Sequence, residues 1–152
     1  MTSFDIDNIK DFMTALFKSS VFDDFFVHGA SVTTFTTFDI SGRLNKEFLG
    51  EETGRLNCFW REVKPFIFSL IKGSRLPKQM KIVLSAPENI ISSIDPSASA
   101  MSVNIIYENA SLKIITGFSQ KTFSLNNSSA AEWDKYVEKF LKSSGFSVST
   151  QF

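Results

Sequence analysis

The sequence predicts an α+β fold, with a single antiparallel or mixed sheet of about five to six strands packed by three main helices, the last of them C-terminal. Apolar residues recur at helical spacing in three segments. The stretches between these segments are rich in β-branched and aromatic residues, and short turns connect them. The regular alternation of strand and helix that a doubly wound nucleotide-binding sheet requires is absent from the sequence.

Length and composition set the broad class of the protein. A chain of 152 residues with 43% hydrophobic residues predicts one folded domain over residues 1–152. The 16 basic and 16 acidic side chains balance, which disfavours nucleic acid as a partner. No apolar run approaches the roughly 20 residues of a membrane span, and the first residues do not resemble a secretory signal. We therefore expect a cytoplasmic protein with no membrane contact.

The first helix is expected over residues 5–18. Asp5 and Asp7 would lie in its first turn and Lys18 in its last, which complements the helix dipole. Apolar side chains at helical spacing form one stripe along this segment. The stripe comprises Ile6, Ile9, Phe12, Met13, Leu16 and Phe17.

A β-rich segment follows over residues 25–40. Its phenylalanine, valine and threonine side chains fit a pleated sheet and are poor helix formers. Gly29 within this run indicates a bulge or a bend. Ser41 and Gly42 then predict a two-residue hairpin turn, which would lead into a short strand over residues 43–48.

The middle of the chain predicts a second helix and a buried strand. The helix covers residues 60–71, with a kink or a junction between two short helices at Pro65 and a stop at Gly73. The compact apolar run at residues 80–84 predicts a strand, and a short helix is expected over residues 89–94.

Two Ser-x-x-Glu patterns predict helix starts by the capping-box rule. Ser85 and Glu88 precede the short helix, and Ser129 and Glu132 precede the C-terminal helix, which Gly145 should end. The apolar stripe of this last helix comprises Trp133, Tyr136, Val137, Phe140 and Leu141.

Between these helices, the sequence predicts a loop and an antiparallel meander. Residues 95–100 are small and polar, as loops commonly are. The meander extends over residues 101–125, where apolar residues alternate with polar ones. Its turns are expected at residues 108–111 and 117–121.

The inventory of catalytic groups is poor. His28 is the only imidazole and Cys58 the only thiol, so a three-histidine metal site is excluded by number. His28 could still act with a carboxylate, and Cys58 could be a nucleophile at a helix start. His28 is best interpreted as a strand residue with an ordinary hydrogen bond, and Cys58 as a small buried hydrophobe beside two aromatic residues. No catalytic residue, metal site or cofactor is predicted.

The strongest polar cluster is a basic segment between the second helix and the following strand. Lys72, Arg75, Lys78 and Lys81 place four cations within ten residues. Such a segment could hold a phosphate or a carboxylate, with Arg75 supplying two parallel hydrogen bonds. The alternative is a solvated basic loop in which Lys72 complements the C-terminus of the preceding helix.

Phenylalanine is unusually frequent, with 17 residues in the chain. Most of these rings should fill the core, and the excess is compatible with an apolar surface for a second copy or another protein. A different interpretation places Phe35 and Phe38 on a sheet face beside Arg43, where single-stranded nucleic acid could stack. The balanced charge disfavours this second interpretation.

Two function classes stay open from the residues alone. The favoured class is a non-enzymatic interaction or ligand-binding domain, with a homo-oligomer or a protein as its partner. The alternative is a small phosphate-ligand or nucleic-acid-binding protein, or an enzyme, that uses the basic segment over residues 72–81 and takes an anionic small ligand. Residues Arg43 and His28 complete the candidate ligand-binding set with the four cations of that segment.

Several short phrases together carry a family resemblance: residues 31–35 (SVTTF), 40–43 (ISGR), 60–66 (WREVKPF), 70–77 (LIKGSRLP) and the helix at 133–141. In chain order they resemble an uncharacterised family of short proteins from Firmicutes-type bacteria, domain of unknown function 5721. The resemblance extends over nearly the whole chain, and it implies a bacterial, cytoplasmic protein without implying any activity or residue role.

Overall fold

The computed structural model describes residues 1–50, 54–73, 76–121 and 128–151. They form seven strands and five helices, which confirms the α+β class and exceeds the expected strand number. None of the described helices is long and apolar enough to cross a membrane. The strands are β1 Ser3–Ile6, β2 Phe26–Thr33, β3 Thr37–Ile40, β4 Gln79–Ser85, β5 Ala98–Glu108, β6 Ser111–Gln120 and β7 Val148–Gln151. The helices are α1 Ile9–Lys18, α2 Lys46–Leu49, α3 Trp60–Ile71, α4 Glu88–Ile94 and α5 Ser128–Ser143.

The seven strands form one antiparallel sheet in the order β3-β2-β4-β5-β6-β1-β7. The predicted turn after Glu108 is confirmed, because β5 and β6 form a hairpin with Asn109 and Ala110 at positive φ. The strand predicted over residues 80–84 is β4, between β2 and β5.

The core lies between one face of the sheet and the helices. Alternation along β5 buries Met101, Val103 and Ile105 on that face. The three main helices each bury an amphipathic stripe against it, as their spacing predicts. Their buried side chains are Phe12, Leu16 and Phe17 in α1, Trp60, Val63 and Ile67 in α3, and Trp133, Val137 and Leu141 in α5.

The start of the chain is a strand, so the prediction of a helix from residue 5 is wrong. Strand β1 pairs with β6 on one side and β7 on the other, and its Phe4 is fully buried. Helix α1 begins only at Ile9, because Asn8 caps it by accepting a hydrogen bond of 3.1 Å from the backbone N–H of Asp11. Asp11 therefore takes the first-turn place that was expected for Asp5 and Asp7.

The β-rich segment forms a hairpin earlier than expected. The register shifts between Val27 and Gly29, which confirms the predicted bulge. The turn lies at Thr34 to Thr36, where the Thr34 N–H donates to the Thr36 carbonyl over 2.9 Å, and β3 returns along β2. The hydrogen bond within the turn and the pairing of Thr33 with Thr37 therefore define this hairpin.

The predictions of a hairpin turn at Ser41 and Gly42 and of a strand over residues 43–48 are wrong. Within the described part of the chain, Arg43 forms an isolated bridge with Asn57 rather than a strand. The chain then enters helix α2, because the Asn45 side chain accepts a hydrogen bond from the Phe48 N–H and caps the turn.

Helix α3 continues through Pro65 as one helix rather than two. Its start is secured by Glu62, whose carboxylate accepts a 2.8 Å hydrogen bond from the Phe59 N–H. Pro65 is exposed, whereas Trp60 and Ile67 on the opposite side are fully buried. Burial of the apolar stripe on both sides of the proline outweighs the loss of one helical hydrogen bond.

Both predicted capping boxes are wrong, although both helices exist. Ser85 is the last residue of β4 and is buried, and Pro87 occupies the N-cap of α4. Ser129 lies inside α5, which begins at Ser128. The predicted end at Gly145 is confirmed, because Gly145 has a φ of 91° and the Phe146 N–H returns to the Leu141 carbonyl over 3.0 Å.

The meander also departs from its predicted bounds. The expected loop over residues 95–100 is shorter, because β5 begins at Ala98. The expected turn at residues 117–121 is wrong, because Gly117 lies within β6 opposite Ser102. The further strand predicted over residues 122–125 lies outside the described residues.

The Asp95 carboxylate forms hydrogen bonds within the connection between α4 and β5. It accepts hydrogen bonds from the Ser97 hydroxyl at 2.6 Å and the Ser97 N–H at 2.9 Å. Both bonds lower the pKa of Asp95, the hydroxyl bond more than the N–H bond, from 3.8 to about 2. Because the ionised form is the one that the fold favours, this contribution to stability is present above pH 3.8 and is lost as the pH falls toward 2.

We expect Ser97→Ala to raise the pKa of Asp95 toward its ordinary value, because the largest stabilising contact of the carboxylate is removed. Titration of the Asp95 carboxyl signal by NMR measures this directly. Ser99→Ala, at an exposed position two residues further along, is the matched control and should leave the titration unchanged. An equal pKa in all three proteins would show that the hydroxyl does not hold the carboxylate.

Candidate functional site

Several of the loops that connect the strands lie at one end of the sheet. Thr33 at the end of β2 pairs with Gln79 at the start of β4, which pairs with Glu108 at the end of β5. The β2–β3 turn, the β5–β6 turn and the segment leading into β4 therefore lie side by side. The C-terminal part of α3 also reaches this end, and two grooves open between these elements.

The first groove, which we call the α1 groove, lies between α1, the end of α3 and the β5–β6 turn. It has a volume of about 540 Å³, and its walls are predominantly apolar. Helix α1 contributes Ile9, Met13 and Phe17, and the opposite wall carries Phe68 and Ile71. Ile9 and Met13 were expected in the core stripe, and they are only partly buried because they face this groove.

Two lysines accompany the apolar walls of the α1 groove. Lys10 and Lys18 both line it and both are exposed. The Lys18 ammonium lies 5.6 Å from the centroid of the Phe68 ring, so the cation rests beside the aromatic wall. Among the described residues that line this groove, none is Asp or Glu. The groove therefore combines an apolar body with an unopposed positive rim.

The second groove, which we call the hairpin groove, lies between the β2–β3 turn and the end of α3. It has a volume of about 620 Å³ and a more polar lining. Phe35 and Phe38 form one wall, with ring centroids 5.8 Å apart in an edge-to-face arrangement. Lys72 and Lys78 line the same groove, and Leu76 lines both grooves.

The structure brings together two of the four cations of the predicted basic segment. Lys72 and Lys78 share the hairpin groove. Lys81 lies within β4 and lines a shallow depression with Ser31 and Asp39 instead. Arg75 lies outside the described residues.

The other two predicted ligand residues lie apart from both grooves. Arg43 is exposed after β3, and its backbone N–H donates to the Ser41 hydroxyl over 3.2 Å. His28 is exposed at the bulge of β2, near the end of that strand where Phe26 pairs with Ser85. Neither residue lines the α1 groove or the hairpin groove.

Cys58 is half-buried and favours its neutral form. Burial, followed by the charge of Glu62, raises the pKa of the Cys58 thiol above its ordinary value, while Arg55 opposes the shift. A raised pKa lowers the thiolate fraction at neutral pH, and the thiolate is the reactive species. This environment disfavours a nucleophile, although Cys58 is less buried than the sequence predicts.

Sequence reasoning missed the α1 groove and its lysines. Lys10, Thr14 and Lys18 are spaced by four residues, so they share one face of α1. That polar face borders the apolar stripe, and the boundary between them is where the groove opens. The spacing was a readable signal, although only the tertiary structure shows that α3 and the β5–β6 turn complete the opposite wall.

Comparison with known protein families gives a match for the chain. Residues 15–149 match the model described as a family of unknown function (DUF5721). The chain belongs to this family. The DUF5721 match extends from the second half of α1 into β7, so it includes the walls of both grooves except for the first turns of α1. No curated protein and no solved structure matches the chain.

Proposed function

We propose that this DUF5721 protein is a non-enzymatic binding domain for an amphipathic anion, such as a long-chain carboxylate. The α1 groove would take the apolar chain, and Lys10 and Lys18 would meet the negative end. The observation that carries the proposal is the apolar lining with two lysines and no acidic side chain among its described residues. In a site of this kind, burial of apolar surface selects the ligand and the charged groups orient it.

The size of the α1 groove suits a small molecule. Its volume of about 540 Å³ lies within the range of about 300–1,000 Å³ that is typical of small-molecule sites. Ile9, Met13 and Phe68 offer partly exposed apolar surface that a bound chain would remove from water. Each methylene buried in this way contributes about 0.8 kcal/mol.

The residues of the α1 groove favour binding over catalysis. The described lining residues include no Asp, Glu, His or Cys, which are the usual acids, bases and thiol nucleophiles. His28 and Cys58, the only imidazole and the only thiol of the chain, are not among them. The groove thus offers apolar contact and positive charge, which are the requirements of a carrier or a sensor.

The test is titration of the full chain with cis-parinaric acid, a long-chain fatty acid whose fluorescence rises in an apolar site. We expect saturable binding, and we expect Thr14→Trp to weaken it at least tenfold because an indole would occupy the groove. Thr14 is exposed, so the change leaves the core intact. Ser92→Trp on the exposed face of α4 is the matched control. Equal affinity of both variants and the wild type would refute the α1 groove as the site.

The role of charge is tested with Lys10→Gln/Lys18→Gln. Exposed ion pairs contribute about 0.5 kcal/mol each, so the double variant should bind the carboxylate about fivefold more weakly at low salt. The corresponding long-chain alcohol should bind both proteins equally. Lys46→Gln/Lys121→Gln, at exposed positions away from the groove, changes the net charge by the same amount and is the control. Equal losses in both double variants would indicate a net-charge effect rather than a specific site.

A further inference from the structure

We propose that the end of the molecule around Phe35 and Leu76 is a peripheral docking surface for an anionic lipid bilayer. The surface comprises the hairpin groove and the adjoining rim of the α1 groove. It does not require a ligand inside the α1 groove, so it stands independently of the proposed function.

Two large apolar side chains project into solvent at this end. Phe35 is 91% exposed at the β2–β3 turn, and Leu76 is 80% exposed on the segment between α3 and β4. They come from separate parts of the chain and line the same groove. The edge-to-face contact with Phe38 supports the Phe35 ring from one side only. Projecting aromatic and aliphatic side chains of this kind gain free energy when they enter the interfacial region of a bilayer.

Lysines surround these apolar tips. Lys72 and Lys78 line the hairpin groove, and Lys10 and Lys18 line the α1 groove, which shares Leu76 with it. The described lining residues of both grooves include no acidic side chain. The chain as a whole has a formal net charge of zero, so this positive end is a local asymmetry. Clustered lysines are attracted to the negative surface of anionic lipid.

Acidic residues flank these grooves in the sequence, but their side chains are not among the described groove linings. Asp11 follows Lys10, and its carboxylate accepts a 2.9 Å hydrogen bond from the Asn8 amide. Glu108 ends β5 and lies 3.4 Å from the Gln79 amide. Neither side chain lines a groove.

The shape of this end favours a bilayer over a folded protein partner. A protein interface needs a complementary patch of roughly 800 Å² per partner with a well-packed apolar centre. Here the exposed Phe35 and Leu76 flank an open groove, and lysines line the grooves beside them. This arrangement suits a deformable surface with mobile headgroups. The expectation of no membrane contact rested on the lack of a spanning segment, which peripheral attachment does not need.

The test is co-sedimentation of the full chain with vesicles. We expect binding to phosphatidylcholine vesicles that contain phosphatidylserine, little binding to phosphatidylcholine alone, and a loss of binding at high salt. Phe35→Ser should reduce the bound fraction at least fivefold, and Phe35→Trp should retain it. Phe48→Ser, at a position that is 88% exposed on α2, is the matched apolar control and should bind as the wild type does.

The charged half of the surface is tested with Lys72→Gln/Lys78→Gln against Lys46→Gln/Lys121→Gln. Only the first pair should lose binding to the anionic vesicles. Equal behaviour of the two pairs, or unchanged binding of Phe35→Ser, would overturn the proposal. Loss of vesicle binding on addition of glycerol phosphate would assign the lysines to a soluble phosphate instead. Retained vesicle binding by Thr14→Trp, with lost cis-parinaric acid binding, would separate this surface from the proposed function.

Discussion

Replacing Trp60 by alanine is expected to lower the free energy of unfolding by about 4 kcal/mol, the middle of the range for large aromatic side chains in a core. Trp60 is fully buried at the start of α3. Its ring lies 5.6 Å from the Phe17 ring, and its indole Nε1 donates a 2.8 Å hydrogen bond to the Leu16 carbonyl of α1. The substitution therefore leaves a cavity and removes a bond between two helices. Urea denaturation followed by circular dichroism measures the change.

Two further variants separate these effects. Trp60→Phe keeps most of the apolar volume and removes the indole donor, so it should cost about 1–2 kcal/mol. Phe66→Ala removes an aromatic ring from the same helix at a position that is 70% exposed, and should change stability by no more than about 0.5 kcal/mol. A Trp60→Ala protein as stable as Phe66→Ala would contradict the central packing role of the indole.

Trp60 also connects the core to the α1 groove. Phe17 lies between Trp60 and Phe68, with ring centroids 5.6 Å and 5.9 Å away. Phe17 and Phe68 line the groove, whereas Trp60 is behind them in the core. The position of the groove walls is therefore set by the contact between α1 and α3 that Trp60 stabilises.

The elements that the sequence predicts best are those whose signal is local. The periodic apolar stripes of α1, α3 and α5 report burial on one face, and they hold even where a local rule fails. Pro65 illustrates this, because α3 continues through it. The β5–β6 turn is equally local, since the short polar break between two alternating strands suffices to define it.

The elements that the sequence misses depend on distant partners. Ile6 in β1 reads as part of a helical stripe, yet this segment is a strand in which Phe4 pairs with Ile114 and with Thr150. Only the neighbouring strands, more than a hundred residues away in the chain, make a strand the better state for this segment. Ser85 shows the same competition, because its sheet pairing with Phe26 and Ser102 prevails over a capping-box pattern.

The candidate site was only partly accessible to sequence reasoning for the same reason. Lys72 and Lys78 were predicted as ligand residues, and their nearness in the chain places them in one groove. Lys81 is as close in sequence but belongs to β4, where it lines a different depression. Leu76 lines both grooves, and this position depends on the tertiary structure rather than on any local pattern.

Gly42→Ala is expected to lower the free energy of unfolding by about 3 kcal/mol. Gly42 has a φ of 74°, where a side chain costs about 1–2 kcal/mol. A Cβ atom there would also lie 2.3 Å from the Val27 carbonyl oxygen, and overpacking costs a further 1–3 kcal/mol or so. The backbone has little freedom to move away, since the Gly42 carbonyl accepts a 2.7 Å hydrogen bond from the Cys58 N–H. The midpoint and slope of urea denaturation measure the loss.

Gly50→Ala is the matched control, because it separates the two causes. Gly50 has a similar φ of 67°, but among the described residues a Cβ atom there would meet nothing within 4 Å. It should therefore show the conformational cost alone, about 1 kcal/mol. The excess at Gly42 then measures the close approach between the segment after β3 and the β2 backbone at Val27. Equal losses at the two glycines would mean that this contact relaxes freely, and that Gly42 is needed only for its left-handed conformation.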